Sequence, residues 1–201
     1  MKRILVAYCT NAGSTAEVAE AVGASLSGPD AEVEVRRLEQ VEDPGAYSAA
    51  VIGAPMILGW HRRAVRFLNR HRTALARIPV ALFFTAMQVT RLGNEQSFGL
   101  PVAVDPRVTK DTARPRRLSF KERHTTVGSY LRPIRRAIAA IRPVSGAFFA
   151  GKLDYGKLKL PQMLFVMLII AARPGDARDW ERIRSWAREV RPALMTAKEE
   201  K

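Results

Sequence analysis

Apolar residues in this chain fall into short unbroken runs, separated by stretches in which they recur at helical spacing. Ile4, Leu5, Val6 and Ala7 form the first run, the pattern of a strand covered on both faces. From Ser14 onward Val18, Ala21, Val22, Ser25 and Leu26 repeat as one face of a helix. "EVEVRRL" alternates as a second strand, and "AAVIGAP" (Ala49 to Pro55) reads as a third, buried one. "RRAVRFLNRHRTALA" carries Val65, Leu68 and Leu75, with Ala64 and Phe67 beside them, and predicts one helix. "IPVALFFTA" (Ile78 to Ala86) predicts a fourth strand, "YLRPIRRAIAAI" a helix interrupted near its start by Pro133, and "GAFFAGKL" a fifth strand. "DWERIRSWAREVRPAL" predicts a terminal helix capped by Asp179. Strands alternating with helices imply an α/β fold: a parallel sheet with helices on both faces.

Two segments break the repeat. Residues 88–128 form a long link rich in Pro, Gly and charge, longer than an idle connection in a compact domain. Residues 160–172, "LPQMLFVMLIIAA", are apolar all round, with Lys157 and Lys159 before them and Arg173 after. Such a segment suits either a membrane interface or a buried helix or subunit contact. Its uncharged core, Met163 to Ala172, is ten residues long, too short to span a bilayer. The 201 residues suffice for one α/β domain plus an insertion, and no internal repeat divides them. A single cysteine, Cys9, precludes an internal disulfide; with no secretory pattern at the start, a cytoplasmic location is expected.

Charge changes the picture. The net charge is +14, yet residues 1–58 hold four basic and eight acidic groups, so residues 59–201 carry +18. Residues 59–77 contain six Arg and no acid, and residues 91–142 contain twelve Lys or Arg against four acids. A field of this sign attracts an acidic small molecule, anionic lipid or nucleic acid. Nucleic acid is not expected, because no aromatic interleaving or recognition-module pattern accompanies the charge.

Between the first strand and the first helix stands Tyr8-Cys9-Thr10-Asn11-Ala12-Gly13-Ser14-Thr15. This is the carboxyl end of a strand in an open α/β sheet, where ligands bind. Backbone N–H groups at a helix start lack intrahelical partners and lie at the positive dipole end, so they attract anions. Thr10, Ser14 and Thr15 add hydroxyls, and Gly13 allows close backbone approach. An ordinary capped helix needs fewer hydrogen-bonding groups than this loop holds. No Lys follows Gly13 and no G-x-G-x-x-G occurs, so neither a Walker A loop nor a dinucleotide fingerprint is present.

"TNAGST" resembles the phosphate loop of flavodoxins. More closely, the chain resembles the menaquinone-dependent, oxygen-independent protoporphyrinogen IX dehydrogenases, a flavodoxin-like family. That likeness rests on "CTNAGST", on "VIGAP" followed by "GWH", on "GKLDY" with the apolar segment after it, and on "DWE" (Asp179, Trp180, Glu181). It implies a doubly wound, five-stranded sheet of order 2-1-3-4-5 with a long insertion before the last strand, and FMN as cofactor. It further implies three FMN loops. The first is Thr10, Asn11, Ala12, Gly13, Ser14 and Thr15; the second runs through Pro55, Met56, Ile57, Gly59 and Trp60; the third is Thr85, Ala86, Met87 and Gln88. In the second loop Gly53 and Gly59 are expected to permit tight turns, and Trp60 either stacks on the isoalloxazine or packs in the core. The backbone of the third would tune the flavin.

The implied activity is transfer of hydride or electrons from an organic donor, protoporphyrinogen IX, to a quinone. Arg114, Arg116, Arg117, Lys121 and Arg123 are the candidate contacts for an acidic substrate, since guanidinium forks match carboxylates. The alternatives are a flavodoxin-type electron carrier, a flavin-dependent quinone reductase and a flavin-free polyanion-binding module. Peripheral contact with an anionic membrane and a homo-oligomer are further expectations. His61, His71 and His124 show no metal-ligand spacing; His71, on its helix's apolar stripe, reads as structural.

Overall fold

The computed structural model describes residues 1–56, 61–92, 96–111, 118–153 and 175–196. Strand β1 (Lys2–Tyr8) leads through a short loop into helix α1 (Ser14–Leu26), which returns to β2 (Ala31–Arg37). Then come β3 (Ala49–Met56), the paired helices α2 (Arg62–Arg70) and α3 (Arg72–Ala76), and β4 (Val80–Ala86). The insertion contributes β5 (Val89–Arg91), β6 (Val102–Val104), β7 (Thr109–Asp111) and α4 (Phe120–His124). Helices α5 (Val127–Leu131) and α6 (Arg135–Ile141) lead to β8 (Ser145–Ala150) and β9 (Lys152–Leu153); β10 (Gly175–Asp176) and α7 (Trp180–Met195) follow.

The main sheet has the order β2-β1-β3-β4-β8-β6 and every pairing in it is parallel. Because side chains alternate across a strand, one set of strand residues faces each helical layer. Ile4, Val6, Val51, Phe83 and Phe149 pack under α1 and α7, through Val18, Val22, Leu26, Ile183 and Trp186. Leu5, Ala7, Ile52, Leu82, Phe84 and Phe148 pack under α2, α3, α5 and α6, through Phe67, Leu68, Leu75, Leu131 and Ile138. Both faces of β1, β3 and β4 are therefore buried, which is why these strands read as continuous apolar runs.

The expected five-strand order is present, with a sixth strand, β6, added at the edge from within the insertion. The strand expected over "GAFFAGKL" stops at Ala150. There β4 also ends, and the Gly151 N–H donates to the last β4 carbonyl, that of Ala86, at 2.9 Å. Lys152 and Leu153 pair instead with Gly175 and Asp176, antiparallel. The single helix expected over residues 62–76 is two, joined at His71. His71 rests on Phe67, ring centroids 4.7 Å apart, in the structural role expected of it. Gly53 makes no turn. It lies mid-strand in β3, where a Cβ would meet the Phe83 ring at 1.9 Å. Asp105 anchors the insertion: its buried carboxylate accepts from the Ala150 and Arg107 amides at 3.2 and 2.9 Å.

Candidate functional site

The loop between β1 and α1 is held at both ends. Cys9 N–H donates to the Gly53 carbonyl at 3.1 Å, and the Thr10 hydroxyl accepts from the Gly13 N–H at 2.9 Å. Gly13 has φ 90 and ψ −25, in the left-handed region that a side chain resists. It stands at the cap position of α1, and no side chain caps the helix. The Gly13 carbonyl accepts from Ala16 and Glu17. Among the described residues, the N–H groups of Asn11, Ala12, Ser14 and Thr15 have no partner. Four unpartnered donors thus lie in the loop and first turn at the positive end of a thirteen-residue helix, a set that fits a phosphate group. Cys9 is buried, which pushes its thiol up to about 12 and leaves it an inert neutral group at neutral pH.

The Thr15 hydroxyl, unlike its N–H, does not serve that space. The side chain is fully buried and its hydroxyl lies 2.9 Å from that of Thr85, which is buried at the end of β4. This contact fixes the first loop against the third. Pro55 and Met56 are the last residues of β3, paired with Thr85 and Ala86 of β4, so they carry the second loop to the sheet edge. Ile57, Gly59 and Trp60 lie outside the described residues. In the third loop Met87 and Gln88 are half-buried. The Gln88 carbonyl accepts from the buried Tyr130 hydroxyl of α5 at 3.0 Å. The Gln88 amide reaches Thr90 at 3.3 Å and Thr125 at 3.5 Å. The loop is thereby tied to the insertion.

Two residues that sequence reading did not assign complete the arrangement. His61 ends the second loop and caps α2, its Nδ1 accepting from the Arg63 N–H at 3.3 Å. With Nδ1 an acceptor, Nε2 carries the proton and donates to Asn11 Oδ1, 3.0 Å away, bridging the first and second loops. Burial first, then the Arg63 charge, lower its pKa from the ordinary 6.5, against an opposing pull from Glu39. The neutral ring is therefore the folded form. Since folding depresses this pKa, the associated stability is complete above pH 6.5 and is lost as pH falls through the lower folded value. An imidazole NMR titration is expected to place the His61 midpoint below 6.5, and Asn11→Ala to leave the Arg63 cap intact. A midpoint above 6.5 would contradict this geometry.

The second is Arg178, whose guanidinium is buried beside the start of α1. It pairs with both oxygens of Asp176 at 2.8 and 2.6 Å and with Glu17 at 2.9 Å. It also donates to the Ser14 carbonyl at 3.4 Å and stacks on Trp180 at 4.3 Å. The β9–β10 hairpin, the first turn of α1 and the start of α7 are fastened by this one side chain. As expected, Asp179 caps α7, accepting from the Arg182 N–H at 3.1 Å.

The expected substrate contacts fall mostly outside what the structure describes. Arg114, Arg116 and Arg117 lie outside the described residues, as does the side chain of Lys121. Arg123 is exposed on α4. The insertion does form a cleft of about 360 Å³, lined by Leu92, Gln96, Phe98, Thr126, Gly128 and Arg132. Segment 160–172 also lies outside the described residues. Among the described residues no helix is long and apolar enough to cross a membrane, and no cluster of metal-ligating side chains occurs.

Comparison with known proteins places this geometry. No curated protein matches the chain. Among solved structures, a flavodoxin from the domain Archaea is similar at 9% identity, over 96% of this chain and 99% of that one, with a TM-score of 0.54. An oxidoreductase of Corynebacterium diphtheriae is similar at 17% identity over 96% and 97%, with a TM-score of 0.51. A Fusobacterium nucleatum flavodoxin mutant, solved bound to flavin mononucleotide, is similar at 12% identity over 74% and 69%, with a TM-score of 0.39. A profile of the flavodoxin domain matches residues 5–178, from β1 through Arg178. The chain belongs to the flavodoxin domain family.

Proposed function

We propose that this flavodoxin-family protein is an FMN-dependent oxidoreductase that takes hydride or electrons from an acidic organic donor, protoporphyrinogen IX, and passes them to a quinone. The observation that carries the reading is the set of unpartnered N–H groups at Asn11, Ala12, Ser14 and Thr15, a preorganised cradle for a phosphate monoester. The isoalloxazine supplies the redox chemistry when bound. The chain's own part is to hold and orient. Arg178 fixes the first turn of α1, and His61 and Thr15 lock the second and third loops against the first. With the Ala86 and Gln88 carbonyls already held by Gly151 and Tyr130, the third loop would present Met87 to the flavin.

The insertion favours an enzyme over a bare electron carrier. It forms an open cleft of mixed lining, in which Leu92 and Phe98 stand beside Gln96, Thr126, Ser129 and the guanidinium of Arg132, and its helix α5 is bonded to the third loop through Tyr130. Phe98 at this cleft has φ 54 and is 38% exposed. A bulky residue held in the left-handed region costs about 1–3 kcal/mol, and such strain clusters at ligand sites. The pairing of Leu92 and Phe98 with a cation in one cleft suits an apolar ring bearing carboxylates. The test is an anaerobic assay of FMN-loaded protein with protoporphyrinogen IX and a menaquinone analogue. The expected result is turnover that falls about tenfold or more in kcat/KM when Arg132 becomes Met, with the diester substrate unaffected. Flavin-loaded protein without turnover on this donor would remove the porphyrinogen while leaving the flavin reading standing.

A further inference from the structure

The two helical layers of the molecule carry opposite kinds of charge pattern. On the α1–α7 side, arginines are matched by carboxylates: Arg188 by Glu181 at 2.6 Å, Arg191 by Asp30, and Arg178 by Asp176 and Glu17. On the other side they are almost unmatched. Residues 61–77 hold six Arg and residues 127–144 four more, with no Asp or Glu in either stretch. All ten are exposed. Of these, Arg63 alone has an ion pair among the described residues, with Glu39 at 2.6 Å.

The fold merges the two stretches into one surface. Helices α2, α3 and α6 pack side by side over the same core, through Phe67, Leu68, Leu75, Ile134, Ile138 and Ile141. The parallel sheet makes α2 and α6 run the same way, from the carboxyl ends of the strands to the amino ends. Arg62 and Arg135 begin these helices at the end of the sheet that holds the three loops; Arg77 and Arg142 end the run at the other. The result is a broad, single-sign face the length of the domain.

We infer that this arginine face docks the protein on anionic phospholipid, with the loop end of the sheet beside the membrane surface. Ten like charges met only by Glu39 and, at the margin beside α3, Asp43 repel one another, so folding gains little from the pattern. A folded protein partner would need apolar anchors at the centre of its footprint. Yet Met1 and Phe98 are the exposed large hydrophobic residues among those described, and of the two only Phe98, in the cleft with Arg132, borders this face, at one end of it. Single-stranded nucleic acid would need a row of exposed aromatic rings to stack on, and among the described residues Phe98 alone, at one end, could serve. Lipid headgroups diffuse laterally and adapt to any spacing of guanidiniums, so charge alone suffices. Arginine favours phosphate further, because its fork binds two oxygens at once. An acceptor dissolved in the bilayer would then be near the loops, although the docking itself requires no flavin.

The test is co-sedimentation of the full chain, purified without added flavin, with vesicles of phosphatidylcholine alone or with about one third phosphatidylglycerol. Binding is expected only to the anionic vesicles, and it should fall steeply between low and physiological salt. Arg66→Glu, Arg70→Glu and Arg136→Glu together are expected to weaken partition at least ~100-fold, since each basic residue near the surface contributes roughly fivefold. Arg182→Glu, Arg184→Glu and Arg188→Glu change net charge equally on the opposite face and should weaken it less than ~10-fold. Circular dichroism confirms that both variants fold. Equal loss in the two variants would overturn the proposal, as would no binding to anionic vesicles at low salt. A duplex DNA or RNA competitor that strips the protein from vesicles at equal phosphate concentration would assign the face to nucleic acid instead.

Discussion

Ser14→Asp is expected to weaken FMN binding at least ~100-fold while leaving the flavin-free protein as stable as before, or slightly more so. The two effects have opposite signs because one feature causes both. Ser14 is the first residue of α1, following a cap that supplies no side-chain bond. A carboxylate in the first turn interacts favourably with the exposed N–H groups and the helix dipole, by about 0.3–1 kcal/mol. The same carboxylate stands where the phosphate would go. Two unit charges about 4 Å apart repel by about 4 kcal/mol at the effective dielectric of a protein surface, and a phosphate carries more than one. Ser14 is also the better position for the test than Thr15. A charge at Thr15 would be fully buried against Thr85 and would disrupt the fold along with the site. Thermal unfolding without flavin and fluorescence titration with FMN check the two halves separately.

The second large effect is expected deep in the sheet. Gly53→Ala places a methyl group 1.9 Å from Phe83 Cζ and 2.5 Å from Cε2, and the ring is fully buried between β3 and the α1–α7 layer. It cannot swing away without displacing Phe149, whose ring centroid is 6.3 Å distant. Overpacking of this kind costs about 1–3 kcal/mol or more, which in a domain of this size lowers Tm by roughly 2–12 °C. If the ring is the cause, Phe83→Leu should suppress part of the loss, giving a favourable coupling of at least ~1 kcal/mol in a double-mutant cycle. Simple additivity would mean that the glycine is required for some other reason.

What the sequence disclosed follows from how each element is stabilised. β1, β3 and β4 are buried on both faces, so their apolar runs stand out, and the first-loop composition marks a strand-to-helix turn with spare donors. β6 is three residues between Pro101 and Pro106. It is a strand because β8 offers it an edge, and no local pattern reports that. The residues that lock the site were hidden for a related reason. Thr15 meets Thr85 seventy positions away, and Arg178 reaches Ser14 across 164; a contact made only by tertiary folding leaves no spacing in the chain. His61 offered one signal, a ring-bearing residue immediately before a helix of arginines, and its capping geometry could have been suspected from that place. Gly53 was read as a turn residue because glycine usually marks one, whereas here its missing side chain makes room for an aromatic ring.

The most direct measurement is a pair of equilibrium titrations of flavin-free protein, one with FMN and one with riboflavin, repeated on Ser14→Asp. If the loop of residues 10–15 holds the phosphate, the native protein binds FMN at least ~100-fold more tightly than riboflavin, and the variant brings FMN close to riboflavin while leaving riboflavin itself unchanged. Equal affinity of the native protein for the two flavins, or full retention of FMN by the variant, would contradict the account.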